Sequence, residues 1–352
     1  MPLPAKTIAI PLAVCVVIVS YNRCSDLIRC LTSLQRQAPA LARVVVVDNG
    51  SQDDTIDAVL TQFPWVELYA AESNLGPCIA RNAGVARSHE DLVWFLDSDT
   101  EIPDSDGAAR LTALFDRPEI VAVGGEAVLD TNGRIAGVKR LRLTANAMVQ
   151  GDTILPDTTV SPCRVIASCN LMMRRGVFDR LGGFDPFYFF FYEDMDLTFR
   201  ASRLGTLLAL SPMPVIHRFS EKMRINSLWM VSRNRMYFTL KNLPLWRALL
   251  LPVLDLATIV RIDSLRRLLR RSRQGPAAVS SVTIDNVPSG SSGAALRRGA
   301  AMALELIAKL AITYAALPFV LRPALASRAR LAYGAPTSGT IRRIAALAPA
   351  GP

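Results

Sequence analysis

Four short strand-like runs recur within the first hundred positions, and each is followed by a polar cluster. Helical patterns separate them, and that alternation leaves few architectures open. Val14–Ser20, Val44–Val47, Val66–Ala70 and Leu92–Leu96 read as strands. The first two are near-continuous Val and Ile runs, the pattern of strands buried on both faces. Leu27, Ile28, Leu31 and Leu34 then recur at helical spacing, with Ser25 and Asp26 as capping candidates. Asp53 and Asp54 open a second helix that stops before Pro64, and Pro77, at an N1 position, opens a third through Arg87. Strands alternating with helices over so short a span predict an α/β fold with a doubly wound, mostly parallel sheet. Such sheets bind ligands beyond the carboxyl ends of their strands. Ser20-Tyr21-Asn22, Asp48-Asn49-Gly50-Ser51, Asn74-Leu75-Gly76 and Asp97-Ser98-Asp99 all fall there, so together they define one composite site.

Further along, Ile120–Gly124 reads as a strand and Val160–Asn170 as another, broken by Pro162. An aromatic run from Phe184 to Tyr192 leads into Glu193-Asp194-Met195-Asp196 and a helix ending near Gly205. Behind it the chain turns helical over Arg224–Leu240, Leu245–Leu269 and Ala301–Leu321. The expected organisation is a leader over 1–11, a sheet-bearing domain over 12–222 and a basic helical region over 223–273. A flexible linker over 274–295, an amphipathic helix over 296–330 and a disordered tail over 331–352 follow.

Charge divides the chain in the same way. Residues 1–216 hold 19 Lys and Arg against 25 Asp and Glu, whereas residues 217–352 hold 21 against 5. A basic rear segment suits an anionic partner. Nucleic acid would call for aromatics interleaved with the basic residues, and 261–273 contains none. Arg261, Arg266, Arg267, Arg270, Arg271 and Arg273 beside the apolar Leu245–Val260 instead suit an anionic membrane surface. No apolar run reaches the length of a clean membrane span. The six cysteines form no CxxC and show no zinc spacing, which fits reduced thiols in the cytoplasm.

Several residues carry chemistry. Asp97 and Asp99, two carboxylates one residue apart at a strand end, can face one hard cation, Mn²⁺ or Mg²⁺. His217, after a short apolar run, is a candidate third ligand. Glu193 and Asp194 follow the aromatic run, which would shelter a carboxylate and raise its pKa as a general base requires; capping the helix is the alternative role. Arg81, early in the third helix, is suited either to a phosphate or to bracing the acidic loops. The chain contains no GxxxxGK[ST], no GxGxxG after the first strand, no GxSxG and no HExxH.

These motifs, in order, resemble the family 2 glycosyltransferases: Val16-Val17-Ile18-Val19-Ser20-Tyr21-Asn22-Arg23, Val45-Val46-Val47-Asp48-Asn49-Gly50-Ser51, Asn74-Leu75-Gly76 with Ala80-Arg81-Asn82-Ala83-Gly84, and Phe95-Leu96-Asp97-Ser98-Asp99. Gly183-Phe184-Asp185, then Tyr192-Glu193-Asp194-Met195-Asp196-Leu197 and Arg200, are similar to the rhamnosyltransferase-like branch. The resemblance spans about residues 12–220 and leaves the basic rear uncovered. It implies a GT-A fold and a metal-dependent inverting transferase. The sugar, rhamnose among the candidates, would pass from a UDP- or dTDP-sugar to a hydroxyl of a glycan or lipid-linked acceptor in cell-surface polysaccharide synthesis. The site would lie in the cytoplasm, peripheral to the inner face of the cell membrane. Carried over by position, Ser20, Tyr21, Arg23, Asp48, Asn49, Asn74, Gly76, Arg81, Asn82 and Ser98 would hold the donor. Asp97, Asp99 and His217 would hold the metal, and Asp194, with Glu193 beside it, would be the base. Ser98 stands where the family often has a bulkier residue or an Asp, and Pro77-Cys78 replaces small residues.

Two other readings stand beside this one. A nucleotidyltransferase shares such a sheet but usually carries a Gly-rich basic loop where Ser20-Tyr21-Asn22-Arg23 stands. A catalytically degenerate protein could bind anionic surfaces through its basic rear.

Overall fold

The structure, a computed structural model, describes residues 12–37, 40–129, 135–154, 160–210, 215–218, 227–251, 253–255, 311, 314–333 and 348–349. The expected leader over 1–11, the linker over 274–295 and the Arg-rich positions 261–273 lie outside the described residues. The chain divides into two units. One is Met1–Thr144 with Val149–Arg224 and Tyr333–Pro352, the other Ala145–Met148 with Ile225–Ala332.

The first unit alternates β1 (Val14–Ser20), α1 (Cys24–Gln35), β2 (Arg43–Asp48), α2 (Thr55–Gln62), β3 (Glu67–Ala70), α3 (Pro77–Val85) and β4 (Leu92–Asp97). It continues through β5 (Thr100–Glu101), α4 (Gly107–Ala113), β6 (Ile120–Gly124), β7 (Glu126–Leu129), β8 (Ile135–Leu143), β9 (Val149–Ile154), β10 (Val160–Cys163) and β11 (Asn170–Arg174). Then come α5 (Arg175–Leu181), α6 (Glu193–Ala201), β12 (Thr206–Leu210), β13 (Ile216–His217) and β14 (Ala348–Pro349). The main sheet is ordered β10-β12-β6-β11-β4-β1-β2-β3-β14. β4, β1, β2 and β3 run parallel, while β11 lies antiparallel between β4 and β6.

Both faces of β1 are covered, which is why its sequence is apolar without alternation. Val14, Val16 and Ile18 pack with Val44, Val46 and Trp94 of the flanking strands and with Leu27, Leu31 and Leu34 of α1. Each such side chain, fully buried, contributes about 1.5–3 kcal/mol. On the opposite face α3 lies against Val17 and Val47. Gly84 permits that approach, since a Cβ there would stand 2.5 Å from Val17 Cγ1. Helices on both faces make the sheet doubly wound, as expected.

Other boundaries differ from the sequence reading. Ser25 and Asp26 lie inside α1, and Asp26 pairs with Arg23 and Arg29 instead of capping. α3 ends at Val85 and α6 at Ala201, each short of the predicted end. Val160–Asn170 is two strands on different neighbours, β10 on β12 and β11 on β4 and β6. The antiparallel sheet β7-β8-β9 was not anticipated; Lys139, Arg140 and Arg142 interrupt any apolar signal in β8. Of the expected tail over 331–352, residues 331–333 and 348–349 are described. Residues 331–333 continue a helix, and Ala348–Pro349 pair antiparallel with β3 at Ala70 and Tyr69, where an edge strand offers open backbone groups.

The second unit is helical. α7 (Ser227–Asn242), a helical stretch over 245–251 and 253–255, and α8 (Leu317–Tyr333) surround Tyr237, Phe238, Leu251, Val320 and Ala324. Of the helix expected over 296–330, residues 296–310, 312 and 313 lie outside the described residues, 311, 314 and 315 are helical, and α8 carries Pro323 inside it. A buried bidentate pair, Arg235 to Asp255 at 2.9 and 2.8 Å, ties α7 to the next helical stretch, and Asn146 Nδ2 donates to the same carboxylate at 2.6 Å. Arg328 donates to the carbonyls of Leu240 and Leu243, closing the C-terminal end of α7.

Candidate active site

The carboxyl ends of β1, β2 and β4 meet on one side of the sheet. Ser20 ends β1 and Asp48 ends β2, and the register places them opposite each other. Both are buried. Asp48 Oδ2 accepts from the Ser51 amide at 2.9 Å, while Asp48 Oδ1 and Ser20 Oγ are buried without a hydrogen-bond partner among the described residues. Two adjacent unsatisfied polar atoms on a cleft floor are costly unless a ligand meets them. Above them Tyr21 is exposed, and Asn22, at φ +51°, is locked to the second loop through Ser51 and Gln52.

Asp97 ends β4, and the chain turns at once into β5. β5 pairs with β13 so that His217 lies opposite Thr100. This two-residue ladder brings a histidine from far along the chain to the Asp97-Ser98-Asp99 turn. His217 Nε2 stands 3.1 Å from Asp99 Oδ1 and 3.8 Å from Asp97 Oδ2. Burial alone lowers the imidazole pKa, but hydrogen bonds with Asp99, Cys169 and Glu126 outweigh it and push it up, and a cation held by the same carboxylates would take the place of the Nε2 proton. Ligand atoms of Asp97, Asp99 and His217 all lie within 4.8 Å of one another. Two carboxylates and an imidazole form a donor set suited to a divalent cation such as Mn²⁺. Ser98, between the carboxylates, is buried, and Arg23 reaches to 3.8 Å from Asp99 Oδ2.

Glu126 and Cys169 also gather at His217, with Glu126 Oε1 3.6 Å from Nδ1. Sequence reasoning missed both. Glu126 follows two glycines between strands, and no spacing signal ties it to His217.

Arg81 is a brace. Its buried guanidinium donates to Asp97 Oδ1 at 2.8 Å and Glu193 Oε1 at 3.2 Å, over the ring of Phe184. Of the two roles the sequence left open for Arg81, these contacts are those of bracing. Asn82 holds a loop too, its amide oxygen and nitrogen both bonding the backbone of Phe184. Asn49 and Asn74 bond each other, and their amide oxygens accept from the amides of Leu75 and Gly76, so they shape these loops. Gly76, at φ +80°, is covered by Phe189, whose ring carbon would lie 2.6 Å from a Cβ there.

Glu193 and Asp194 open α6 directly after Phe189, Phe191 and Tyr192, three non-glycine residues with φ between +59° and +69°. Such conformations cost of order 1–3 kcal/mol each and persist where surrounding packing imposes them. Three of the seven aromatics in the run, Phe184, Tyr188 and Tyr192, are buried, while Phe189 is 42% exposed. Burial and the neighbouring Asp194 charge push the Glu193 carboxyl up to about 7 against the opposing pull of Arg81, and its Oε2 has no partner. Asp194 is also raised by burial, opposed by Arg81. Its Oδ2 accepts from the Ser168 amide at 3.2 Å and its Oδ1 from that of Met195 at 2.7 Å, which fixes the carboxylate at the helix start. Asp196, buried on Arg200 and Tyr188, belongs to the core.

Residues 15–182 match the family model for Glycosyl transferase family 2. The chain is 30% identical over 210 residues to a pre-mycofactocin glycosyltransferase of Mycobacterium tuberculosis, covering 58% of this chain and 42% of that protein. It is 28% identical over 227 residues to an N-acetylglucosaminyl-diphospho-decaprenol L-rhamnosyltransferase of the same organism, covering 56% and 73%. Thus the chain spans less than half the length of the first relative. A mannosyltransferase of Pyrobaculum calidifontis, solved with GDP-Man and Mn²⁺, superposes with a TM-score of 0.55 at 18% identity over 89% of this chain and 88% of that one, a likeness of fold. Residues 15–182 thus form a glycosyl transferase family 2 domain, and the doubly wound sheet is that of a GT-A fold.

Proposed function

We propose that the chain transfers a sugar, with inversion, from a nucleoside diphosphate sugar to an acceptor hydroxyl. The observation that carries the reading is the convergence of Asp97, Asp99 and His217 beside the unsatisfied Ser20 Oγ and Asp48 Oδ1. Ser20, Tyr21 and Asp48 hold the base and ribose. Asp97, Asp99 and His217 hold a divalent cation, Mn²⁺ or Mg²⁺; when bound, it supplies positive charge to the departing diphosphate. Asp194 takes the acceptor proton, a role worth roughly 10²–10⁴-fold. Oxygen then attacks the anomeric carbon on the face opposite the leaving diphosphate, the carbon–phosphate oxygen bond breaks, and the configuration inverts. Arg81 keeps Asp97 and the Glu193 end of α6 in fixed relation. The exposed ring of Phe189 offers an apolar wall to a sugar. The rhamnosyltransferase relative, named for a diphospho-decaprenol-linked sugar, supports rhamnose and a lipid-linked glycan acceptor.

A thermal-shift panel of UDP-, dTDP- and GDP-sugars with and without Mn²⁺ tests this, since a ligand of the native state raises its melting point. The expected result is a Mn²⁺-dependent shift with one nucleotide class that Asp97→Ala abolishes. Asp194→Asn keeps the shift and loses transfer. A fully active Asp194→Asn enzyme removes that residue as the base.

A further inference from the structure

The second unit presents a surface that a helix exposed to water does not normally carry. Within the helical stretch beginning at Leu245, Ala248, Leu251 and Asp255 are buried, a spacing that defines one inward face. The outward positions are Leu245 (46% exposed), Trp246 (53%), Leu249 (77%), Leu250 (42%) and Val253 (60%). All five are large and apolar, whereas an ordinary surface helix places charged and polar residues there. On α8 the pattern repeats: Val320, Ala324 and Ser327 face inward, while Phe319, Leu321 and Leu325 are exposed. Trp229 of α7 meets Phe319 edge-on at 6.1 Å, so its exposed ring joins that patch. Single exposed apolar residues are common, but contiguous patches mark contact surfaces. The exposed helix is anchored, for Asp255 at its inner face is clasped by Arg235.

Charge identifies the occupant. The described residues of this unit hold seven Lys and Arg and a single acidic residue, Asp255, which Arg235 already neutralises. Arg247 lies over Trp246 with its guanidinium carbon 5.5 Å from a ring centroid, and Arg322 stands exposed one turn from both Phe319 and Leu325. An apolar stripe with Trp and Arg at its margin matches the depth profile of a lipid interface, where aromatics and long cations sit at headgroup level. A second copy of so basic a unit would meet like charge. Among the described residues no helix is long and apolar enough to cross a membrane. We propose that the exposed face of Leu245–Val253 docks on an anionic lipid bilayer, with the exposed Phe319 patch of α8 as a further contact. The inference does not depend on the sugar-transfer site, so either can fail alone.

The test uses the full chain with vesicles of phosphatidylcholine, with or without phosphatidylglycerol. Wild type is expected to sediment with the anionic vesicles, and tryptophan emission shifts to the blue as the exposed rings leave water, a shift reduced in Trp246→Phe and lost when Trp229→Phe is added. Trp246→Glu with Leu249→Glu and Val253→Glu lowers the affinity by about 100-fold or more, with the melting temperature unchanged because the positions are exposed. Arg247→Glu with Arg322→Glu removes the preference for phosphatidylglycerol. Wild type that stays in the supernatant with no blue shift overturns the proposal. So does a folded triple variant that binds as wild type does, or a solution dimer of wild type that the triple variant dissolves while vesicles go unbound.

Discussion

Replacing Glu193 by Gln removes one buried negative charge without altering shape, and the structure fixes the sign of the result. The carboxyl is pushed from its ordinary value of 4.5 up to about 7, first by burial and then by Asp194, with Arg81 opposing. A raised pKa means that the folded chain holds the proton more tightly than the unfolded chain does. The stabilisation from that proton is complete below about pH 4.5 and is lost as the pH climbs through 7. At about 1.36 kcal/mol per unit, the loss is on the order of 3 kcal/mol. Gln still accepts a hydrogen bond from Arg81 and never ionises. Glu193→Gln and wild type are therefore expected to have similar stability near pH 4.5, and the variant to gain of order 3 kcal/mol by pH 8. Urea unfolding of both proteins at half-unit intervals from pH 4.5 to 8 measures the gap. Parallel curves across that window would falsify the reasoning, because they would mean that Glu193 ionises alike in the folded and unfolded chains. Adding Asp194→Asn should narrow the gap, since the second cause of the shift is then gone.

Arg81→Met strands Asp97 and Glu193 without their shared cation and is expected to cost about 3–5 kcal/mol in urea unfolding, the penalty for breaking a buried pair. Gly84→Val drives a side chain into Val17 Cγ1 and should destabilise by roughly 1–3 kcal/mol, read as a lowered melting temperature with the sheet's circular dichroism intact. His217→Ala leaves two carboxylates and no imidazole, and Mn²⁺ titrated against it by electron paramagnetic resonance should bind at least about tenfold more weakly than to wild type.

The legible part of the fold was the part buried on both faces. β1 and β2 reveal themselves because α1 and α3 bury opposite sides of the same strands, so every position must be apolar. The β7-β8-β9 sheet, half wet and studded with Lys139, Arg140 and Arg142, lacks that signature. The clusters at the strand ends were legible by position alone, and His217 was legible as a histidine after an apolar run. The engagement of each polar group was not. Arg81, Asn82, Asn49 and Asn74 stand where a donor would be met, yet their side chains close contacts with Glu193, Phe184 and each other. Spacing names the neighbourhood of a guanidinium or an amide, while its partners depend on loops that converge from distant parts of the chain. Glu126 lacks even a spacing signal, because a single parallel bridge to Val215, two residues before His217, creates its proximity to the imidazole.

The short ladder of β14 on β3 has a colloidal consequence. β3 would otherwise be an open sheet edge, and an open edge is a template on which another chain can add a strand. Ala348 and Pro349 cover it at Ala70 and Tyr69, and Pro349, with no amide hydrogen, cannot pass the ladder outward. A chain cut before Ala348 thus exposes a growth point, so its turbidity should rise with concentration while the sugar-transfer residues stay in place.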